Sequence, residues 1–525
     1  MNNSNIFTGS EIETRHMDIK CSVVLWNQWW DEGKGKITDI LAQMSDVIIR
    51  FNGWHNAWHT VKVWDKEFDL HILPSGMVSE WKINIITSSC VLWIKLNKID
   101  MNKVKVSNTW PYSHATLAQL LKRDKKWKIV EVWMIPELEK LRKWWIDIRK
   151  SGLKISWETP VIWMHNVLLD AFDEKCRDAA GLNLIWSTGS GISRAYAWEM
   201  QRYHFSLNDL LYNEEAFFQS IRALWYPYQH AFPKISADDL INEMKREKIE
   251  ILEYIARWEI EVIANERDYI KHLKGIKIWE WAQSCMIGSA NSVFGSASAP
   301  SLERFLNATW LTVKKVWNIF IISKMPGSSV WNRPWFLNLP DSPELNAFRK
   351  KYSEIWVSTG RERDLLYYSL TETARGAWLN LRGIDNESKV VPVFNRVDGI
   401  EDALKLDPSG KLRVVTGYDY KVKDILNGNK DTTISVGIQW NEKITPKELL
   451  KNYPEKSMQS KLFDVKEKDL KFLEVQGNYI QEKITNLLWY HLGAIYRKDE
   501  EREYLILMGP SRDDLEIRKW SPLRK

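Results

Sequence analysis

Short apolar runs alternate along this chain with loops of small and polar residues. The runs at 21–25 (Cys-Ser-Val-Val-Leu), 46–51 (Asp-Val-Ile-Ile-Arg-Phe) and 83–86 (Ile-Asn-Ile-Ile) have the length and β-branched content of buried strands. So do those at 276–279, 391–394 and 504–507. Each breaks into a loop rich in Gly, Ser, Thr, Asn or charged residues. Residues 115–150 are charged and mostly helical in pattern, closing on Lys150-Ser151-Gly152 as a stop. Residues 237–273 read as one long helix, with Leu240, Ile241, Met244, Ile251, Leu252 and Ile255 at helical spacing and a solvated charged face. A strand that runs out into a polar loop, repeated, is the signature of an α/β fold with its site at the strand ends. The expected fold is α/β, with a large central, mostly parallel β-sheet flanked by helices, P-loop-NTPase-like, and with helical and small peripheral lobes.

Composition narrows the partners. With 74 basic and 68 acidic residues among 525, the net charge of +6 is modest, and no dense Lys/Arg stripe suggests nucleic acid. No apolar run approaches a membrane span, and residues 1–20 are polar, without the apolar segment of a secretory signal. Cys21, Cys90, Cys176 and Cys285 are widely spaced and form no C-x-x-C pair, which fits reduced thiols in a cytoplasmic protein. One number is abnormal: 30 Trp against 24 Gly. A carbohydrate-stacking or interface role would cluster the indoles, yet they run from Trp26 to Trp520.

The stretch 26–36, Trp-Asn-Gln-Trp-Trp-Asp-Glu-Gly-Lys-Gly-Lys, lies between the first apolar run and a helical segment. Strand, tight loop and helix start make the setting in which backbone N–H groups and lysines cradle phosphate. Further loops follow in order: 52–60 (Asn-Gly-Trp-His-Asn-Ala-Trp-His-Thr), 73–76 (Leu-Pro-Ser-Gly) and 186–192 (Trp-Ser-Thr-Gly-Ser-Gly-Ile) with Ala195-Tyr196. Then come 280–283 (Glu-Trp-Ala-Gln), 358–361 (Ser-Thr-Gly-Arg) and Val397-Asp398. Each alone is a weak motif. Together and in this order they resemble adenylosuccinate synthetases, over about residues 22–518. The resemblance implies residues 21–525 as one catalytic domain after an N-terminal extension at 1–20, with insertions near 137–150, 235–275 and 420–485 that add surface lobes.

It also implies a reaction. The family joins L-aspartate to IMP, using GTP to phosphorylate the purine 6-oxygen before the aspartate amine displaces phosphate. On that reading Asp31 is the general base that takes the N1 proton and a ligand of Mg²⁺; otherwise it is a helix-capping acid. His59 resembles the histidine that steadies charge on the GTP phosphates, and the residue at 58, here Trp58, supplies a backbone carbonyl to the metal. Glu32, Gly33, Lys34, Gly35 and Lys36 match the phosphate-binding set, and Arg396, Asp398, Gly509 and Pro510 the guanine side, with Asp398 accepting from the base. Asn56, Thr188, Arg202 and Gln283 resemble IMP contacts, together with Arg361, and Gln283 is placed in the catalytic group. Arg202 would reach the neighbouring subunit of a homodimer, unless it is a surface salt-bridge partner. Ser358, Thr359, Arg361 and Arg363 resemble the loop that grips aspartate, a guanidinium fork suiting a carboxylate. Glu362 interrupts the family's arginine run there, Arg396 stands where Lys is common, and Leu507 replaces a usual Ser.

The tryptophans acquire a pattern against this family. Trp26, Trp30, Trp54, Trp58, Trp186, Trp281 and Trp356 fall where it has glycine, as does Trp81, whereas Trp29 is a family tryptophan. An indole in a phosphate loop would block it, and at close-packed turns it would overpack. A gene in which UGA specifies glycine, read with UGA as tryptophan, produces this pattern; a degenerate, nucleotide-binding paralogue without catalysis is the alternative. A relative acting on dGMP is the other competing function, against which Asp31 and Asp398 both argue.

Overall fold

The structure is a computed structural model of the 525-residue chain. It describes residues 21–26, 34–53, 59–63, 66–94, 134–182, 191–233, 235–280, 318–324, 326–329, 337–352, 354–356, 361–381, 389–395, 399–406, 412–424, 430–437, 452–453, 465–475, 502–507 and 515–520, with 284, 286, 305, 306 and 316.

A ten-stranded sheet organises the chain. In spatial order its strands are Leu515–Trp520, Arg502–Leu507, Lys389–Asn395, Asn318–Lys324, Cys21–Trp26, Lys277–Glu280, Val47–Arg50, Ile83–Ile86, Leu153–Ser156 and Ile260–Ile263. All neighbouring pairs are parallel except the antiparallel edge formed by the last two strands of the chain. Parallel sheets bury both faces, and the sequence obliges. Every residue of Val47–Arg50 and of Asn318–Lys324 is buried. Alternate residues serve opposite cores: Val23, Leu25, Val47 and Ile49 on one side, Val24, Ile48, Ile278 and Phe320 on the other.

A third core lies beside the sheet, among the helices Met164–Ala179, Ile192–Gln201, Leu207–Tyr212, Glu214–Trp225 and Ala237–Ala256. Two of these begin with reciprocal capping boxes, Ser206 with Asp209 and Ser236 with Asp239. A smaller four-stranded sheet, Tyr368–Ser369, Leu412–Asp424, Lys430–Gly437 and Leu470–Val475, packs on the helix Leu370–Leu381. It holds most of what is described of 420–485, the expected peripheral lobe.

Two expectations change. Residues 237–273 are not one helix: the helix stops at Ala256, Ile260–Ile263 forms the edge strand of the main sheet, and Glu266–His272 is a separate helix. The β-branched run Ile-Glu-Val-Ile favours the strand once the helix has been capped. One part of 235–275, the strand Ile260–Ile263, is therefore built into the sheet rather than set upon it. Nor is 137–150 a loose surface addition. In the helix Met134–Lys143, Leu138 and Leu141 are buried, and the Glu137 carboxylate accepts from the backbone N–H groups of His71 (3.0 Å), Ile72 (3.3 Å) and Leu73 (3.3 Å). Among the described residues, no helix is long and apolar enough to cross a membrane.

Candidate active site

The strands Cys21–Trp26, Val47–Arg50, Lys277–Glu280, Lys389–Asn395 and Arg502–Leu507 run parallel, so their C-terminal ends share one edge of the sheet, and each precedes one of the expected site segments. The Cys21–Trp26 strand sits between Asn318–Lys324 and Lys277–Glu280. Its continuation, with Asp31, Glu32 and Gly33, lies outside the described residues. The chain resumes as the helix Lys34–Gln43, so Lys34, Gly35 and Lys36 occupy its first turn, Gly35 buried and Lys36 half-buried. A strand followed after seven residues by a helix start is the order of elements in which first-turn backbone N–H groups and the positive end of the helix dipole can hold an anion.

The neighbouring loops are cross-tied. Val47–Arg50 ends next to Lys277–Glu280, and the Arg50 guanidinium lies 3.9 Å from the Glu280 carboxylate, both fully buried. The same carboxylate accepts from Ser75 N–H at 3.1 Å. Glu280 thereby fixes the Pro-Ser-Gly loop against two strand ends, three residues before Gln283. Gly76 belongs in this crowding because a Cβ there would meet Asn84 Oδ1 and Ile48 Cδ1 at 2.5 Å. Beyond Phe51, Asn52 accepts from Gly53 N–H (2.7 Å) and from the Tyr196 hydroxyl (3.3 Å), which also donates to Ser89 O (2.7 Å). The helix Ile192–Gln201 is thus pinned over the 52–53 loop. At its start Gly191, with φ +72°, donates its N–H to Asp170 at 2.9 Å.

Of the other expected site residues, Asn56, Trp58, Thr188, Gln283, Ser358, Thr359, Arg396, Asp398, Gly509 and Pro510 lie outside the described residues, as does Trp30. The elements that lead to them are in place. His59 opens the strand His59–Val63, one residue after the 54–58 loop. Lys389–Asn395 stops just before Arg396, and Arg502–Leu507 two residues before Gly509. Arg361 lies in the short strand Arg361–Glu362, paired with Ile355–Trp356. Arg202 follows the helix Ile192–Gln201 and is exposed.

Arg363 is more deeply set than a surface carboxylate clamp. Its guanidinium bonds Glu354 at 3.1 Å, and Glu354, fully buried, also holds Lys324 Nζ at 2.7 Å. Lys324 ends a central strand, so this cluster links the sheet to the hydroxyl- and guanidinium-rich loop. Glu137 and Glu354 were not singled out from sequence, and Glu280 entered only as the first residue of the 280–283 motif, with no role. The available signal was an acid placed inside an apolar pattern: Glu137 lies on the face of Met134, Leu138 and Leu141, and Glu280 ends a buried strand.

Burial rather than charge dominates the remaining ionisable groups here. The Cys21 thiol is pushed up to about 11 and the Cys90 thiol to about 12, both by desolvation, so neither is a poised nucleophile. His165 is held well below the ordinary histidine value by burial and then by the Arg194 charge. Among the described residues, no cluster of three or more His, Cys, Asp or Glu side chains could hold a metal ion.

The family model for adenylosuccinate synthetase matches residues 23–114 and 129–381. The chain belongs to the adenylosuccinate synthetase family. It is 26% identical over 415 residues to an adenylosuccinate synthetase of Clostridium kluyveri, covering 77% of this chain and 82% of that one. It is 28% identical over 409 residues to that of Caldicellulosiruptor bescii, covering 76% and 81%. The solved structure of a fully ligated adenylosuccinate synthetase from Plasmodium falciparum superposes with a TM-score of 0.65, covering 95% of this chain and 100% of that one at 17% identity. That likeness establishes the fold. Membership makes the chain an enzyme of a GTP-dependent, C–N bond-forming ligase family.

Proposed function

We propose that this synthetase ligates L-aspartate to IMP with GTP through a 6-phosphoryl-IMP intermediate, giving adenylosuccinate, GDP and phosphate. What supports the reading is that the strands Cys21–Trp26, Val47–Arg50, Lys277–Glu280 and Lys389–Asn395, each of which precedes one of the family's loops, run parallel in one sheet, with the Lys34–Gln43 helix start following the first.

In this mechanism Asp31 removes the N1 proton, so that the purine O6 gains nucleophilic character and attacks the γ-phosphorus. Lys34, Lys36, the N–H groups of residues 32–36 and His59 balance the negative charge on the transferring and leaving phosphates. Asn56, Thr188 and Gln283 orient IMP, Arg202 reaches the IMP phosphate of a second subunit, and Asp398, with Arg396, Gly509 and Pro510, selects guanine. Ser358, Thr359, Arg361 and Arg363 hold aspartate with its amine toward C6. The carboxylate of Asp31 and the backbone carbonyl of residue 58 are hard oxygen donors that suit Mg²⁺ together with phosphate oxygens; bound there, the ion would neutralise phosphate charge. The 1–20 segment precedes a single catalytic unit over 21–525, at work in the cytoplasm.

The deciding experiment incubates purified protein with aspartate, Mg²⁺, either IMP or dGMP, and either GTP or ATP. It is run on the chain as written and on a version with glycine at positions 26, 30, 54, 58, 186, 281 and 356. Adenylosuccinate formed from IMP and GTP supports the proposal. Product from dGMP alone overturns it in favour of a 2-aminopurine ligase, and failure of both versions to bind GTP overturns it in favour of a non-catalytic paralogue.

A further inference from the structure

Among the described residues only four other than glycine have positive φ, and three of them are tryptophans: Trp81 (+64°), Trp145 (+67°) and Trp258 (+60°). The fourth is Arg202 (+64°). Bulky L-residues rarely enter the left-handed region, since Cβ crowds the following carbonyl.

The hydrogen bonds say what two of these positions are. After the helix Met134–Lys143, Trp145 N–H donates to Arg142 O (3.0 Å) and Ile146 N–H to Leu141 O (3.2 Å). After Ala237–Ala256, Trp258 N–H donates to Ile255 O (3.0 Å) and Glu259 N–H to Tyr254 O (3.0 Å). Both are Schellman closures with tryptophan at the left-handed C′ position that glycine ordinarily fills. The chain carries its own reference: after Met164–Ala179, Leu182 N–H donates to Arg177 O (2.9 Å) and C′ is Gly181, at +67°.

Nor do the indoles gain anything by burial. Trp81, Trp145 and Trp258 are 77%, 92% and 83% exposed. Another class of tryptophan behaves differently. Trp225 and Trp279 are fully buried with negative or unremarkable φ; Trp225 Nε1 donates to Ile235 O at 2.9 Å, and Trp279 packs edge-on to Phe305 with centroids 4.8 Å apart. Left-handed φ together with exposure therefore sets Trp81, Trp145 and Trp258 apart from Trp225 and Trp279; Arg202, whose following Tyr203 N–H donates to Trp198 O (3.3 Å), shares the φ without being a tryptophan.

We infer that positions 81, 145 and 258 are glycine in the working protein, encoded by a codon that its cells read as glycine, whereas Trp225 and Trp279 are true tryptophans. The inference does not rest on the proposed function, but it extends to the capping turns the substitution suspected in the phosphate loop. An exposed aromatic docking face is the rival account. It explains exposure but not why all three indoles take left-handed φ, two of them at helix caps.

Peptide mass mapping of the protein from its source cells, with the coding DNA, decides between them. Glycine in peptides spanning 81, 145 and 258, with TGA at those codons and TGG at 225 and 279, is the expected result. Tryptophan in those three peptides overturns the inference and leaves the docking face. The chain as written also supplies a folding test. The Trp81→Gly/Trp145→Gly/Trp258→Gly variant should melt at higher temperature, and Gly181→Trp, at the same cap geometry, should melt lower. A triple variant that melts lower would overturn the capping argument.

Discussion

Lys324 Nζ lies 2.7 Å from the Glu354 carboxylate, with both side chains buried, and the Arg363 guanidinium shares that carboxylate at 3.1 Å. One anion between two cations joins the end of a central strand to the loop proposed to hold aspartate. Removing one partner of a buried ion pair costs more than the pair contributes, because the survivor keeps its desolvation penalty. Glu354→Gln should therefore lower unfolding stability by about 3–5 kcal/mol, read by chemical denaturation. Adding Lys324→Met should return part of the loss. A variant within experimental error of the parent would mean that water reaches the cluster.

Gly191 shows why the Ser-Thr-Gly-Ser-Gly loop needs its last glycine. Its φ is +72°, and a Cβ there would stand 2.3 Å from Asn166 Cβ and 2.7 Å from the Asn166 carbonyl carbon. Neither atom can swing away. Gly191→Ala should cost about 1–3 kcal/mol through overpacking and strain. It should also raise KM for IMP more than KM for GTP, since Thr188 is three residues away. Equal changes in both constants would detach this turn from the nucleotide monophosphate site.

Strand positions were legible because a parallel sheet demands largely apolar runs, and 47–49, 83–86 and 504–507 come close to that. The loops were legible only through family order, since no single one is specific. The stop at Ala256 was not, because it is made by a left-handed turn whose residue reads as Trp258, not as a glycine signal. The roles of Glu137, Glu280 and Glu354 stayed hidden for a different reason. Their partners are distant in sequence, Ser75 for Glu280 and Lys324 for Glu354, and periodicity reports only local neighbours.

His165 offers a pH test. Its ring stacks on Trp163 with centroids 4.5 Å apart, and neither ring nitrogen has a hydrogen-bond partner among the described residues. Burial, and then the Arg194 charge, holds it neutral in the folded protein well below the ordinary value of 6.5. Between the two values the unfolded chain binds a proton that the folded one refuses. Stability from this group is therefore complete above pH 6.5 and falls on acidification, by about 1.4 kcal/mol per pH unit at most. His165→Phe keeps the ring and removes the titration, so the acid-side slope should flatten by that amount. An unchanged slope would assign it to other groups.

Asp31 is proposed as the base that makes the purine oxygen nucleophilic. Asp31→Asn keeps the shape of the side chain and removes the proton acceptor. Turnover should fall by roughly 10²–10⁴-fold, the usual worth of general acid–base catalysis, and further if a metal ligand is lost with it. IMP affinity, measured by calorimetry, should change little. Retained turnover would exclude Asp31 as the base.

Asp398 is proposed to bind guanine on its resemblance to the family, and the chemistry fits, since a carboxylate can accept from two adjacent N–H donors, a pattern adenine does not present. It follows the Lys389–Asn395 strand, which lies in the sheet beside Asn318–Lys324 and so points its end at the same edge as the phosphate loop. Asn at this position accepts with one oxygen and sets an amide donor against a base donor. Asp398→Asn should therefore weaken GTP by about 1–3 kcal/mol, the cost of a donor left unpaired. ATP, which never used the carboxylate, should be nearly unaffected, so the ratio of kcat/KM for the two nucleotides should narrow by roughly one to two orders of magnitude. Steady-state kinetics with each nucleotide at fixed IMP and aspartate measures that ratio. Equal loss with both would make Asp398 a structural residue of the strand end, and unchanged selectivity would move guanine recognition elsewhere along the edge.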